Sequence, residues 1–395
     1  MTSKIFVAGV GMTRFRKPSE QASYAELGPD AARAAIADAN LTYSDVQQAY
    51  VGYCYGDSTC GQRVLYELGL TGIPIVNVNN NCATGSSALF LARQAVASGD
   101  ADCALAIGFE QMRPGALGNV FTDRKSPFDL FDAEADRLVG HGELPIAIRY
   151  FGGAGLAHMR QYGTRLETFA RIRAKASRHA EHNPIAIFRK PMTVEDVMAS
   201  PMLWDGVMTR LMACPPTCGA AAALLCSPEL ARRQGLDTRV MISAQAMTTD
   251  LAIELEARDM RDVVGASMAK AAADLVYQQA GVGPEAIDVV ELHDCFAQNE
   301  LISYEALGLC APGEAEKFVN DNDNTYGGAV VVNPSGGLLS KGHPLGATGI
   351  AQCAELTSQL RGIAGVRQVE RARLALQHNL GLGGACVVTL YEKAS

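Results

Sequence analysis

Short apolar runs alternate with segments of helical periodicity along the first part of the chain. The apolar runs at 5–10, 75–78 and 103–109 predict strands, and the periodic segments at 25–40 and 82–98 predict helices. Strands separated by helices form βαβ units, in which neighbouring strands run parallel. This order predicts an α/β fold.

The same alternation returns in the second part of the chain. Strands are predicted at 220–225, 240–245, 287–292, 374–378 and 385–390, with helices at 268–279 and 296–307. The second part therefore resembles the first in its order of elements.

A short repeat supports a duplication. Ala83-Thr84-Gly85 and Ala347-Thr348-Gly349 each open a helix of small residues, and each follows a strand that ends in Val-Asn. Helices rich in Ala, Gly and Ser lack a polar face, so burial on all sides is expected. Both helices are predicted to lie between two sheets.

The segment between the two parts has a different pattern. From 111 to 213 the strand signals disappear, and Arg, Lys, Met and Pro are frequent across 171–191. A long segment of this kind is typical of an insertion that covers a site. The chain is thus divided into a first half (1–115), an inserted unit (116–212) and a second half (213–395). The inserted unit is interpreted as ligand-binding, with a role in dimerisation as the alternative.

Cys82 is a candidate nucleophile. It follows a predicted strand and three asparagines, and it stands at the first turn of a buried helix. Backbone N–H groups and the helix dipole at such a position favour a thiolate and lower the thiol pKa. The alternative is a cysteine that acts only as a small buried apolar residue.

Two histidines and a second cysteine stand at comparable positions in the second half. His343, in Gly342-His343-Pro344, precedes the matching helix, so a pseudo-twofold arrangement would bring it opposite Cys82 as a base for the nucleophile. His293 and Cys295 follow the predicted strand 287–292, and α/β sheets build their sites at such carboxyl ends. No C-x-x-C pair accompanies them, which argues against a metal site.

The glycines of Gly381-Leu382-Gly383-Gly384 are followed by a strand and not by a helix. A dinucleotide-binding loop is therefore excluded by context, and the chain has no phosphate-binding G-x-x-x-x-G-K-[ST] motif. Glycine here is expected to let backbone N–H groups approach a substrate oxygen, as an oxyanion hole requires.

Composition excludes several classes of protein. Among 395 residues, 48% are apolar and only 19% are charged, against a typical charged share of about 25%, which predicts a large core or a subunit interface. The net charge of −8 and the absence of a basic block argue against nucleic acid and anionic membranes as partners.

Location is predicted from the cysteines and the two ends of the chain. Eleven cysteines without a disulfide-type spacing indicate a reducing compartment. The apolar run at 5–12 is too short for a signal peptide, no run could insert into a membrane, and the end Lys393-Ala394-Ser395 is not a peroxisomal signal. A cytoplasmic protein is expected.

Three motifs in this order resemble those of the thiolases, in particular the sterol carrier protein 2 type. They are Asn-Asn-Cys-Ala-Thr-Gly-Ser at 80–86, His-Asp-Cys-Phe at 293–296 and Gly-His-Pro-Leu-Gly at 342–346. The resemblance covers essentially the whole chain. It implies two βαβαβαββ halves in a five-layered α-β-α-β-α thiolase fold, with the inserted unit as a loop domain that holds coenzyme A.

The resemblance also implies a role for each site residue. Cys82 would attack the keto carbon of a 3-oxoacyl-CoA, and His343 would take its proton. Cys295 would act as the second acid and base, and His293 would complete an oxyanion hole with His343. The backbone N–H groups of Cys82 and Gly381 would form a second oxyanion hole. Coenzyme A and acyl-CoA would be substrates, with no permanent cofactor and no metal.

Two positions depart from the thiolase pattern. Most thiolases carry their second cysteine in a C-x-G segment near the C-terminus, where this chain has Asn379, so Cys295 is expected to serve instead. Cys218 stands where this subtype usually has Asp, with an effect that the sequence leaves open.

The leading hypothesis is a 3-oxoacyl-CoA thiolase, an acetyl-CoA C-acyltransferase of fatty-acid or sterol side-chain degradation. The alternatives are a thiolase-like aldolase that acts on hydroxyacyl-CoA side chains and a non-catalytic module that binds acyl-CoA or lipid. Acyl-chain specificity and the degradative or biosynthetic direction stay open. A homodimer or homotetramer is expected.

Overall fold

The strands form one continuous sheet with a two-stranded hairpin beside it. A computed structural model describes residues 4–20, 23–113, 118, 120–252 and 259–394. The strands are β1 Ile5–Met12, β2 Gln48–Gly52, β3 Ile75–Val78, β4 Cys103–Glu110, β5 Met202–Trp204, β6 Met208–Thr209, β7 Gly219–Cys226, β8 Val240–Thr248, β9 Val289–Glu291, β10 Val331–Val332, β11 Leu374–Gly381 and β12 Ala385–Lys393.

Helices flank the strands in both halves and make up most of the insertion. They are α1 Tyr24–Asp38, α2 Cys60–Leu65, α3 Thr84–Ser98, α4 Asp129–Val139, α5 Ile146–Tyr162, α6 Leu166–Ala180, α7 Val194–Met198, α8 Pro228–Gln234, α9 Met260–Val263, α10 Ala266–Ala280, α11 Ala297–Ala306, α12 Ala315–Asn320 and α13 Thr348–Arg361. In the part of the chain that the structure describes, no helix has the length and apolar character needed to span a membrane.

The large sheet consists of two five-stranded halves of the same topology. Its strand order is β10-β9-β11-β12-β8-β1-β7-β4-β2-β3. The halves meet where β1 pairs with β8 through Ile5↔Ile242 and Phe6↔Met241. The first half reads β1α1β2α2β3α3β4β7 and the second β8α10β9α11β10α13β11β12, which confirms the predicted βαβαβαββ duplication.

One strand lies on the other side of the predicted boundary at residue 213. β7 pairs antiparallel with both β1 and β4, so it belongs to the first half although it follows the insertion in sequence. All eight of its residues are buried, because it lies inside the sheet and is covered on both faces. The three-unit division otherwise stays a prediction.

The two helices of small residues form the central layer, as their composition predicts. α3 packs on β2 and β4 of the first half, α13 packs on β7 and β11, and the two helices contact one another. α1 covers β1 and β7 from outside, and α10 covers β8 and β12. The layers therefore follow the α-β-α-β-α order of the thiolase fold.

The inserted unit packs on the second half. α5 and α6 contact α11, and α6 also contacts the short π-helix Gly337–Lys341 that precedes His343. The sequence pattern showed no strands in this unit, whereas β5 and β6 pair as a short antiparallel hairpin. These strands are too short for alternation to reveal them.

Glycines of the first half allow the His343 loop to approach closely. A Cβ atom built on Gly108 would lie 2.0 Å from the carbonyl oxygen of Gly346, and one built on Gly85 would lie 2.7 Å from the same atom. A methyl group has no room at either distance. The loop of the second half therefore lies directly on β4 and α3 of the first.

Candidate active site

Cys82 lies in the turn between β3 and α3. The backbone of Asn81 is left-handed, with φ of 51°, a conformation that Asn tolerates better than most residues. The backbone N–H of Asn80 donates to Thr84 Oγ1 at 2.8 Å, and the Cys54 thiol donates to the carbonyl oxygen of Asn81 at 3.1 Å. These bonds hold the turn, and the Cys82 side chain is only 6% exposed.

Burial decides the protonation of Cys82. The helix N-terminus predicts a lowered thiol pKa, but this prediction is wrong. Burial, with a smaller contribution from the Glu110 carboxylate, raises the pKa of Cys82 to about 12. The free energy needed to remove a thiolate from water exceeds the stabilisation that the helix N-terminus gives it. The resting side chain is a thiol, and a base must take its proton as sulfur attacks.

His343 is held as that base. Its backbone N–H donates to Thr217 Oγ1 at 2.9 Å, and its Nδ1 lies 2.7 Å from Thr348 Oγ1. The Thr348 hydroxyl donates its own proton to the carbonyl oxygen of Pro344 at 2.9 Å, so it accepts from Nδ1–H. The proton of neutral His343 is thus on Nδ1. Nε2 carries a lone pair and, in the described part of the chain, has no hydrogen-bond partner.

His293 faces His343 across the site. The two ring centroids lie 5.0 Å apart with the rings nearly perpendicular. Cys82 Sγ and one nitrogen of each ring all lie within 4.8 Å of one another. The structure therefore brings these three predicted residues together from opposite halves of the chain.

Both imidazoles are neutral. Burial and the nearby Lys341 ammonium lower the pKa of His343 to about 3. Burial, together with the charges that His343 and His378 would carry, lowers the pKa of His293 well below its usual range. A cation is unfavourable in this water-poor space until an anion forms beside it.

Cys295 is buried next to a third thiol that the sequence did not assign to the site. Its carbonyl oxygen accepts the backbone N–H of Cys214 at 2.9 Å. Burial raises the pKa of Cys295, and the charges of Cys214 and Cys82 would raise it further. Negative charge on one of these sulfurs therefore disfavours negative charge on another. No sequence signal places Cys214 here.

Gly381 lies against the turn that carries Cys82. A Cβ atom on Gly381 would be 2.2 Å from the carbonyl oxygen of Asn80 and 3.0 Å from the backbone nitrogen of Ala83. The two backbones that should form the second oxyanion hole are therefore adjacent. Joint binding of one oxygen by the N–H groups of Cys82 and Gly381 stays a prediction.

Glu110 ties the two halves together beside the nucleophile. Its carboxylate accepts backbone N–H groups from Cys54 at 3.1 Å, Tyr55 at 3.0 Å and Gly346 at 3.0 Å. Burial raises its pKa, and these bonds oppose the rise. Glu110 is not among the residues predicted from sequence, although an acidic residue at the end of an otherwise apolar strand is a signal that could have indicated it.

Asp294 has a structural role. It accepts the backbone N–H groups of Leu338 at 2.7 Å and Leu339 at 3.3 Å, in the π-helix that leads to His343. Burial and the charge of Glu300 raise its pKa to about 8.

The π-helix Gly337–Lys341 is also held by a buried ion pair in which Lys341 Nζ lies 3.0 Å from Glu291 Oε2.

Cys218 directly follows Thr217 and pairs with Arg16 in an isolated β-bridge. Its backbone N–H donates to the Arg16 carbonyl oxygen at 2.8 Å, and its thiol donates to the carbonyl oxygen of Met112 at 3.5 Å. A neutral thiol is satisfied there by a weak hydrogen bond.

Comparison with known proteins agrees with this arrangement. Residues 5–123 match the thiolase N-terminal domain, and residues 252–391 match a thiolase C-terminal domain-like model. Human sterol carrier protein 2 is 53% identical over 396 residues, which span 98% of this chain and 72% of that protein. The chain belongs to the thiolase family.

More distant relatives and solved structures extend the comparison. The benzoylsuccinyl-CoA thiolase subunit BbsB of Thauera aromatica is 35% identical over 384 residues, covering 96% of this chain and 95% of that protein. A human mitochondrial 3-ketoacyl-CoA thiolase in complex with CoA shares the fold, with a TM-score of 0.75 over 100% of this chain and 98% of that one at 18% identity.

An aldolase is also structurally similar. The Ltp2-ChsH2(DUF35) aldolase has a TM-score of 0.82 and 25% identity, and the match covers 99% of this chain and 98% of that one. An acetyl-CoA acetyltransferase of Methanothermobacter thermautotrophicus is 35% identical to this chain over 98% of this chain and 99% of that protein. This thiolase is accordingly an acyltransferase.

Replacement of Thr348 tests how His343 is oriented. Thr348→Val keeps the side-chain shape but removes the acceptor for Nδ1–H, so the imidazole loses its fixed tautomer. We expect kcat/KM for acyl transfer to fall about 10–100-fold. Thr348→Ser keeps the hydroxyl and serves as the matched control, with activity near wild type. Full activity of the Val variant at unchanged thermal stability would contradict this role.

The pH dependence tests whether His343 is a neutral base. Because its pKa is lowered to about 3, the imidazole stays unprotonated through the acid range. We expect kcat/KM for the acyl-CoA substrate to remain level from about pH 8 to about pH 5.5, whereas a base of ordinary pKa near 6.5 would lose about tenfold. The control is full recovery of activity on return to neutral pH. An inflection near the ordinary histidine pKa would refute the assignment.

Proposed function

We propose that this thiolase cleaves 3-oxoacyl-CoA with coenzyme A in fatty-acid or sterol side-chain degradation. The observation that carries the proposal is the approach of the Cys82 thiol and two neutral imidazoles, His293 and His343, within 4.8 Å of one another. A thiol beside a neutral base is the arrangement required for nucleophilic acyl transfer. Coenzyme A and acyl-CoA are substrates in this proposal, and no permanent cofactor takes part.

The first half-reaction uses both cysteines. His343 Nε2 takes the Cys82 proton while Sγ bonds to the keto carbon of the substrate. The bond between C2 and C3 then breaks, and its electron pair passes to C2 as an enolate of acetyl-CoA. Hydrogen bonds from His293 and from the new imidazolium of His343 stabilise this enolate oxygen. The Cys295 thiol protonates C2, and acetyl-CoA leaves.

The second half-reaction releases the shortened acyl chain. The Cys295 thiolate takes the proton of incoming coenzyme A, whose sulfur attacks the acyl carbon bound to Cys82. The N–H groups of Cys82 and Gly381 stabilise the oxyanion, and Cys82 leaves with a proton from His343. The charge of a Cys82 thiolate would raise the pKa of Cys295, which supports an alternation in which only one sulfur is charged at a time.

An aldolase is the second candidate function. Similarity to the Ltp2-ChsH2(DUF35) aldolase supports it. Aldol cleavage of a hydroxyacyl-CoA needs no acyl-cysteine, however, and would leave the thiols of Cys82 and Cys295 without a role. The two buried thiols therefore favour thiolysis. A non-catalytic binding module is disfavoured for the same reason.

The deciding assay follows loss of a medium-chain 3-oxoacyl-CoA on addition of coenzyme A. Cys82→Ser and Cys295→Ala should each lower kcat by at least about 1,000-fold, because they remove the nucleophile and the second acid–base group. Cys310→Ala, which replaces a half-buried cysteine after α11, is the matched control and should retain activity.

Two outcomes would redirect the assignment. Full thiolysis by Cys82→Ser would overturn the acyl-cysteine mechanism. Cleavage of hydroxyacyl-CoA without consumption of coenzyme A, and no thiolysis, would establish the aldolase candidate.

We also propose that the protein is a homodimer in a reducing compartment such as the cytoplasm. β3 forms an edge of the large sheet, and its Val76 is 44% exposed, with Leu70 on the preceding loop 80% exposed. An exposed apolar sheet edge is a surface that a second copy can cover. Sedimentation equilibrium should give twice the chain mass of 41.8 kDa. A monomer would contradict the dimer, and four copies would indicate the tetramer.

A further inference from the structure

Asn379 occupies the position where most thiolases have their second cysteine, and its side chain lies between two parts of the site. It is completely buried at the end of β11. Its Nδ2 lies 3.1 Å from the carbonyl oxygen of Cys82 and 3.1 Å from His293 Nδ1. One amide group therefore contacts the nucleophile's backbone and one histidine ring.

The contact with Cys82 fixes the orientation of the Asn379 amide. A backbone carbonyl oxygen can only accept a hydrogen bond, so the group that faces it must be the NH₂. In the flipped orientation Oδ1 would face the Cys82 carbonyl oxygen at the same short distance, and two acceptors would repel. The amide orientation follows from the hydrogen-bond network.

The orientation of the amide in turn fixes the proton on His293. The NH₂ group of Asn379 also donates to His293 Nδ1, so Nδ1 must carry a lone pair. Burial keeps the ring neutral by lowering its pKa. A neutral imidazole has one proton, and here that proton is on Nε2.

We propose that Asn379 is a positioning residue that locks His293 in its Nε2–H tautomer, so that Nε2 donates a hydrogen bond to the substrate oxygen. The proposal rests on the proposed thiolysis for its catalytic meaning. Thr348 imposes the opposite tautomer on His343, whose Nε2 carries a lone pair. Before the substrate enters, Nε2 of His293 is thus a hydrogen-bond donor and Nε2 of His343 an acceptor. Asn379 sets the first tautomer and Thr348 the second.

The lock has a second consequence, which concerns metal ions. Cys82 Sγ and the two rings have the donor atoms of a zinc site, and one nitrogen of each ring lies within 4.8 Å of the sulfur and of the other ring's nitrogen. A ring nitrogen that carries a proton cannot bind a metal. The tautomer set by Asn379 therefore withholds His293 from zinc.

Asn379→Asp keeps the size of the side chain but replaces the NH₂ donor by an acceptor, so it reverses the contact with His293 and also loses the hydrogen bond to the Cys82 carbonyl oxygen. The carboxylate accepts a hydrogen bond from Nδ1–H, so the one proton of the neutral ring lies on Nδ1 and Nε2 carries a lone pair that can bind a metal. A carboxylate behind a histidine is the arrangement that supports zinc ligation. The substitution should convert an oxyanion donor into a metal ligand.

The first experiment measures the tautomer directly in the unmodified protein. Long-range ¹H–¹⁵N NMR of histidine-labelled protein distinguishes protonated from unprotonated ring nitrogens, and His293→Gln assigns the signals. We expect Nε2–H for His293 and Nδ1–H for His343. An Nδ1–H signal for His293 would overturn the proposal without any assay of activity.

The second experiment compares zinc affinity by calorimetry in the wild type, Asn379→Asp and Asn183→Asp. Asn183 is the matched control, because it is also buried and also donates from Nδ2 to a backbone carbonyl oxygen, that of Ser335 at 2.8 Å, outside the site. Asn379→Asp should bind zinc about 10–100-fold more tightly than the wild type, and Cys82→Ala in the same background should abolish the gain. Equal affinity in the wild type and Asn379→Asp would refute the lock.

Kinetics separates the positioning role from a general structural one. Loss of one oxyanion donor should lower kcat of Asn379→Asp about 100–1,000-fold with little change in KM, since the bond forms mainly in the transition state. A rise in KM with kcat retained would contradict the role. If the protein did not perform thiolysis, the NMR and zinc measurements would still determine the tautomer of His293. Failure of the proposed function is therefore distinguishable from failure of the proposed role of Asn379.

Discussion

The close backbone contact between the two halves is the constraint on which the site depends. The loop Gly342–Gly346 of the second half lies on β4 and α3 of the first, where Gly85 and Gly108 leave no side chain in its path. The buried carboxylate of Glu110 binds the Gly346 N–H from the side of the first half. Because glycine has no side chain to separate the two backbones, a base from one half can reach a nucleophile from the other.

Burial then sets the chemistry of the groups that meet. Away from water, the thiol of Cys82 and the imidazoles of His293 and His343 are all held neutral. These three side chains are thus uncharged before substrate arrives, so hydrogen bonds determine which ring nitrogen can accept a proton and which can donate one. Thr348 Oγ1 lies 2.7 Å from His343 Nδ1, and Asn379 Nδ2 lies 3.1 Å from His293 Nδ1. These two contacts set the tautomers of the rings.

Buried polar and ionic groups hold the segment that carries His343. Asp294 holds the π-helix Gly337–Lys341 by its backbone, and Lys341 pairs with Glu291. Breaking a buried pair of this kind leaves an uncompensated charge, which typically costs about 3–5 kcal/mol. The segment that carries His343 is thus rigid on the side of the second half and closely packed on the side of the first.

The sequence by itself determined the duplicated α/β order, and it predicted the inserted unit and the four candidate residues Cys82, His293, Cys295 and His343, because periodicity and motifs are local properties. Only the tertiary structure decided that β7 completes the first sheet, since strand pairing joins residues far apart in the chain. It also decided the raised pKa of Cys82, because burial is a property of the whole fold and outweighs the local helix terminus. The roles of Glu110, Cys214 and Asn379 required it too, because each depends on a partner brought near only by folding.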